Sequence, residues 1–140
     1  QSNRGADLFF TQNRQKSGSS PISPSTAPSV MIEALREGKI LILASDQNAG
    51  KRGEFVHFFG RPASSPRGPS FFHKKTGAAV ITAFCHRKPT GNYELKFNRL
   101  PDDGAGTVME RFTSVLESEV RKRPAQYFWF HRRWKSFPKK

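Results

Sequence analysis

The stretch Pro124–Lys135 crowds Tyr127, Phe128, Trp129, Phe130 and Trp134 against His131, Arg132, Arg133 and Lys135, and no acidic residue follows Glu119. Broad rings with a polar edge favour a half-wet boundary. Guanidinium forks match phosphate oxygens in pairs. The combination predicts a surface for something both apolar and anionic, such as a phospholipid, with single-stranded nucleic acid as a less neat fit. Arg121-Lys122-Arg123 is different, because its place at the end of an expected helix lets it answer the negative pole of the macrodipole.

Two other groups of residues stand where chemistry gathers. Asp46 and Gln47 directly follow the aliphatic run Lys39–Ser45. In open α/β sheets ligands collect beyond the carboxyl ends of strands, where an acid and an amide can orient a hydroxyl or hold a basic neighbour. An Asx turn or a helix cap is the plainer reading of the same pair. Further on, Phe58-Phe59-Gly60-Arg61-Pro62 and Pro66-Arg67-Gly68 bracket small residues. Phe59 and Gly60 are read either as the floor of a pocket for an acyl chain or as a surface loop anchored by phenylalanines.

Several chemistries find no support. His57, His73, His86 and His131 have no metal-ligand spacing with Cys85 or with acids, and no cofactor is expected. Neither a G-x-S-x-G elbow nor a phosphate-cradling G-x-x-x-x-G-K loop occurs. The single cysteine, Cys85, excludes a disulfide framework and suits a reducing compartment; its apolar flank predicts a small buried thiol. No apolar run approaches the roughly 18 residues that cross a bilayer, and no signal-peptide pattern opens the chain.

Composition sets the frame for these groups. A chain of 140 residues is one domain or part of one, and its mean hydropathy of −0.66 limits the core. The net charge of +13 calls for a polyanionic partner: nucleic acid, membrane surface or phosphorylated substrate.

The elements that must position these residues follow from periodicity and punctuation. A short helix is expected over Ala6–Gln15. A flexible loop rich in Ser and Pro follows over residues 17–29, then a helix capped by Ser29 over Val30–Glu37 and stopped at Gly38. Lys39–Ser45 is continuously aliphatic, which predicts a strand buried on both faces in a parallel sheet. A helix over Pro66–Thr76 ends at Gly77, and Ala78–Cys85 is a second buried strand. Tyr93–Phe97 alternates as a half-exposed strand. Thr107 and Glu110 form a capping box for a helix that runs to about Lys122 on the stripe Val108, Phe112, Val115, Leu116 and Val120. Pro124 then starts a short turn, and residues 121–140 make a basic aromatic tail. The alternation of helix and strand is an α/β pattern.

Taken in order, these pieces resemble the lipid A biosynthesis acyltransferases, the lauroyl/myristoyl branch of the lysophospholipid acyltransferase superfamily. The matching residues are Arg14 and Gly18; Leu35, Gly38 and Asp46-Gln47; Val56 and Phe58-Phe59-Gly60; Pro66 and Gly68; Lys75-Thr76-Gly77-Ala78 to Phe84; Tyr93; and Pro124, Gln126-Tyr127, Trp129, His131-Arg132-Arg133 and Lys135. The resemblance implies an α/β fold, with residues 1–140 the C-terminal portion of a lysophospholipid acyltransferase-like sheet flanked by helices. It implies transfer of a fatty acyl group from acyl carrier protein to a hydroxyl of an anionic glycolipid, a lipid A precursor, at the cytoplasmic face of the bacterial inner membrane. Asp46, Gln47, Phe59, Gly60, Arg132, Arg133 and Lys135 are then the expected substrate-binding residues. The family's H-x-x-x-x-D/E motif is absent: five residues on, His57 meets Pro62, His73 meets Ala78, His86 meets Gly91 and His131 meets Ser136. A chain with acceptor-side and sheet residues but no such base is expected to be inactive alone. The alternative from another class is a basic aromatic nucleic-acid-binding module.

Overall fold

A computed structural model describes residues 4–23 and 25–136. Along the chain run α1 (Arg4–Lys16), α2 (Pro28–Arg36), β1 (Glu54–Phe58), β2 (Arg61–Ser65), α3 (Gly68–Thr76), β3 (Ile81–Arg87), β4 (Tyr93–Arg99) and α4 (Val108–Lys122), with 3-10 turns at Gly50–Arg52 and Pro124–Gln126. The fold is mixed α/β: four helices and two small antiparallel hairpins among the described residues.

Helix α4 organises the rest. Its N-terminus carries the expected capping box, with Glu110 N–H donating to Thr107 Oγ1 (3.2 Å) and Thr107 N–H to Glu110 Oε2 (2.7 Å). Val108, Met109, Leu116 and Val120 are buried along its inner face. Phe58, Ala63, Leu116 and Val120 form the core, joined from the edge by Phe59, Phe84, Phe112, Tyr127 and Trp134. Burial of a side chain as large as Phe58 contributes about 1.5–3 kcal/mol, so the β1–β2 hairpin is held to α4 chiefly by rings.

The hairpin itself was not foreseen. Phe59 and Gly60 sit at φ 51° and 70°, the left-handed pair that a two-residue turn matched to strand twist demands. Gly60 accepts that conformation freely, while Phe59 holds it because its ring packs against Phe58 at 4.7 Å. The turn pairs Phe58 with Arg61 and Val56 with Ala63. It is therefore neither an open loop nor a pocket floor of small residues.

Other expectations are corrected. Lys39–Ser45 forms neither helix nor strand, and Ile40 and Ile42 are 90% and 85% exposed. No parallel sheet forms among the described residues, since each strand finds its partner across a short turn. The second strand is shifted to Ile81–Arg87, where Thr82 and His86 point inward and Cys85 outward. Cys85 is thus exposed, because the strand's polar side faces α4. Strand β4 alternates as expected, with Leu95 and Phe97 on the outer side. Helix α2 starts earlier than expected, at Pro28 behind Ala27, with no side-chain cap from Ser29. The Ser/Pro-rich stretch ends correspondingly sooner; Pro24 within it and residues 137–140, with Lys139 and Lys140, lie outside the described residues.

Candidate functional site

The loop after the aliphatic run and the terminal aromatic segment meet. Asn48 N–H donates to His131 Nε2 at 2.7 Å, and Asn48 Nδ2 donates to the Arg133 carbonyl at 3.2 Å. Asn48 Oδ1 accepts from Gly50 N–H (2.8 Å) and from Ser136 Oγ (3.1 Å). The Tyr127 hydroxyl reaches the Asp46 carbonyl at 3.4 Å. Residues some eighty positions apart therefore form one surface, and the chain brings Asp46 and Gln47 to the tail that carries Arg132, Arg133 and Lys135.

The tail folds back through its rings. Trp134 stacks on Phe58 at 5.5 Å and its indole N–H donates to the Phe58 carbonyl at 3.2 Å. Tyr127 and Trp129 meet edge to face at 4.8 Å, and Trp129 continues onto Phe59 at 6.1 Å. Gln126 clamps the end of β3, its amide accepting from Arg87 N–H and donating to Arg87 O, both at 2.9 Å. These exchanges let a cluster of five aromatic residues hold a segment that has little regular secondary structure.

The expected arginine pair divides. Arg133 is 1% exposed. It donates to the Ser64 carbonyl and to Ser65 Oγ, and its guanidinium lies over Phe58 at 5.5 Å. The expected grip on an external phosphate by both arginines is therefore corrected for Arg133, whose guanidinium is spent inside the protein, while Arg132 stays exposed. Burial lowers Arg133 from its usual value, with Tyr127 and Asp46 opposing, and burial raises the Tyr127 phenol. Arg132, Lys135 and Gln47 are exposed, while Asp46 is half-buried. Phe59 is half-buried and Gly60 exposed at the hairpin turn; Arg121 lies 4.7 Å over the Phe59 ring. Phe128 and Phe130, 5.9 Å apart, face solvent.

Asp46 and Tyr127 also line an apolar trough of about 800 Å³, together with residues 40–45 and 78–86 and with Phe72, Phe112 and Leu116. Among its lining residues the structure gives His86 the acid that sequence spacing denied it: Glu119 Oε2 lies 3.3 Å from His86 Nε2. Glu119 is committed elsewhere as well. Lys96 (2.7 Å) and Lys122 (2.9 Å) hold it, lowering its pKa from 4.5 to about 2, the Lys96 hydrogen bond being the largest cause. The cluster reads as an ion network, buried at Glu119 and His86 and open to solvent at Lys96 and Lys122, that ties β3 and β4 to α4.

Sequence reasoning missed Asn48 and Gln126 as organisers. Both are amides whose partners lie far along the chain, and nothing local distinguishes them. Among the described residues no group of acids, histidines and cysteine is placed to hold a metal, and no helix is long and apolar enough to cross a membrane.

A family model described as bacterial lipid A biosynthesis acyltransferase matches residues 1–136. The chain is 32% identical over 115 residues to a lipid A biosynthesis lauroyltransferase of Escherichia coli strain K12, covering 77% of this chain and 38% of the relative. It is 27% identical over 135 residues to a lipid A biosynthesis palmitoleoyltransferase of the same strain, covering 91% and 44%. A phosphatidylinositol mannoside acyltransferase of Mycobacterium tuberculosis is 33% identical over 67 residues, 46% of this chain and 21% of the relative. The chain thus spans less than half the length of these relatives.

Proposed function

The chain belongs to the bacterial lipid A biosynthesis acyltransferase family, and from that premise we propose that it forms the acceptor side of an acyltransferase. The reaction is transfer of a fatty acyl group from acyl carrier protein to a hydroxyl of an anionic glycolipid, at the cytoplasmic face of the bacterial inner membrane. The single observation that carries this reading is the junction itself: Asn48 fastens the Asp46-Gln47 loop to the tail bearing Arg132 and Lys135. A carboxylate and an amide suited to a sugar hydroxyl thereby share one rim with cations suited to phosphate. Phe128 and Phe130, exposed beside those cations, favour a membrane surface over a solution partner, because bare rings gain by entering the interface.

The chain's residues bind and orient. Asp46 fixes the hydroxyl or a basic neighbour; Arg132 and Lys135 hold the anionic headgroup; Gln47 adds an amide at the exposed edge. Removal of the hydroxyl proton needs a positioned base, and no histidine here carries an acid at the family's spacing. Without one, general base catalysis worth about 10²–10⁴ in rate is lost.

The test uses the purified chain with a bisphosphorylated, acylated glucosamine disaccharide in neutral vesicles, with and without acyl carrier protein charged with a lauroyl group. Binding that weakens with salt and with Arg132→Gln, without turnover, is expected. Absence of binding would remove the acceptor-side reading, and robust transfer would remove the reading that a base is lacking.

A further inference from the structure

We propose that four cations gathered at the C-terminal end of α4, Lys88, Lys96, Lys122 and Arg123, form a docking surface for an acidic helix of the acyl carrier protein. They come from separate elements and are drawn together by two carboxylates. Glu119 Oε1 accepts from Lys96 Nζ at 2.7 Å and from Lys122 Nζ at 2.9 Å. Glu94 meets Lys88 at 3.4 Å through Oε1 and Arg123 at 3.3 Å through Oε2. Gln126 binds both backbone groups of Arg87, next to Lys88, and so ties the end of β3 to the segment after α4. Each carboxylate holds two cations, and the four cations against two carboxylates leave the group a net charge of +2.

These cations are ordered without being used up. Their side chains remain 42% to 57% exposed, so a carboxylate from outside reaches them. Because they are already held, less side-chain freedom is lost when a partner arrives. Acids three or four positions apart on a helix stand about 5–6 Å apart at Cβ, a spacing that suits two ammoniums held on one oxygen. A membrane surface fits less well. The tail interleaves its cations with rings, whereas here the interleaved groups are acids, and Glu94 repels a plane of phosphates. Tyr93 and Leu95 alternate with Glu94 and Lys96 and lie on the opposite face of β4. Glu119 and Arg123 also line the apolar trough, so a carrier seated on this surface holds its acyl chain beside apolar lining. The choice of the carrier as partner rests on the acyl-transfer reading; Arg132, Lys135 and Asp46, which carry the acceptor side of that reading, take no part in the surface.

The experiment measures binding of lauroyl-charged acyl carrier protein to the purified chain by calorimetry. The parent is compared with Lys88→Gln/Lys122→Gln, with Lys88→Arg/Lys122→Arg, and with Lys74→Gln, which removes an exposed charge on α3. Vesicles containing anionic lipid and the bisphosphorylated glucosamine disaccharide are titrated beside the carrier. The glutamine pair is expected to weaken carrier binding about tenfold at moderate salt. Its melting curve and its capture of the disaccharide should stay in place, since each carboxylate keeps its second cation. The arginine pair should bind like the parent, and so should Lys74→Gln. Carrier binding that survives the glutamine pair, or that falls as far in Lys74→Gln, would overturn the proposal. Vesicle binding lost in step with carrier binding would make the surface a membrane face and overturn it too. A carrier that does not bind while the disaccharide does would remove the docking surface and leave the acceptor reading standing; failure of both ligands to bind would remove the acyl-transfer reading and the partner with it.

Discussion

Asn48 and His131 are joined by a 2.7 Å hydrogen bond from the backbone N–H of the first to Nε2 of the second, across 83 positions of sequence. His131 accepts, so its ring proton sits on Nδ1. The Asn48 side chain meanwhile binds three further groups, at Gly50, Arg133 and Ser136. One amide residue thus sets the angle between the loop with the carboxylate and the tail with the cations.

Asn48→Ala removes the three side-chain bonds, each worth about 1 kcal/mol net, and should lower stability by roughly 2–3 kcal/mol. Asn48→Asp keeps the acceptor for Gly50 and Ser136 and loses the donor to Arg133, so its loss should be smaller. Urea unfolding of both variants checks the order. Equal stability of the alanine variant and the parent would show that the loop is not held by this clasp.

The Glu119 cluster gives stability an acid limb. The carboxyl is depressed from 4.5 to about 2 in the folded protein, so the unfolded state binds the proton more readily. Its contribution is full above about pH 4.5 and declines as pH falls toward 2. Urea midpoints should drop across that window, and Glu119→Gln should flatten this part of the profile while lowering the plateau. An unchanged acid limb in Glu119→Gln would place the titration elsewhere.

Gly53 and Gly60 separate crowding from backbone strain. A methyl on Gly53 would lie 2.0 Å from Ser64 Oγ and 2.8 Å from the Ser65 carbonyl, so Gly53→Ala must displace the strand beneath Arg133 and should cost about 1–3 kcal/mol or more. A methyl on Gly60 meets nothing within 4 Å, but φ is 70°, and Gly60→Ala should cost only about 1 kcal/mol. The reverse order in thermal melts would contradict the close packing at Gly53.

What the sequence made legible was local. The α4 capping box, the stop at Gly77 and the turn at Pro124 rest on contacts within a few residues, and all three are present. Lys39–Ser45 was read as a buried strand because hydrophobicity reports which surface can be buried, not whether a partner stands beside it. Cys85 failed for a related reason: a one-residue choice of which side faces α4 inverts a whole strand, and here Thr82 and His86 take the inner side, with His86 Nε2 3.3 Å from Glu119. The tail's motif residues were found by type, yet Arg132 and Arg133 could not be told apart until the fold placed one in water and one beneath it.

That division yields the sharpest contrast between neighbours. Arg133 fills a buried site with its fork, one arm on the Ser64 carbonyl and one on the Ser65 hydroxyl, over the Phe58 ring. A lysine cannot reach both oxygens from one nitrogen with the same geometry, and hydrogen bonds to a charged donor contribute about 1.5–3 kcal/mol each. Arg133→Lys should therefore lower stability by roughly 2–4 kcal/mol and disturb binding only as far as it disturbs folding. Arg132 is exposed, and Arg132→Lys should leave the melt within about 1 kcal/mol of the parent while weakening capture of vesicles that contain anionic lipid. Sedimentation with anionic and zwitterionic vesicles, run beside thermal melts, reads both properties. If Arg132→Lys loses lipid binding only in step with its melting temperature, its role is structural like that of its neighbour. If Arg133→Lys keeps its melt and loses binding, the buried fork is not what holds the tail.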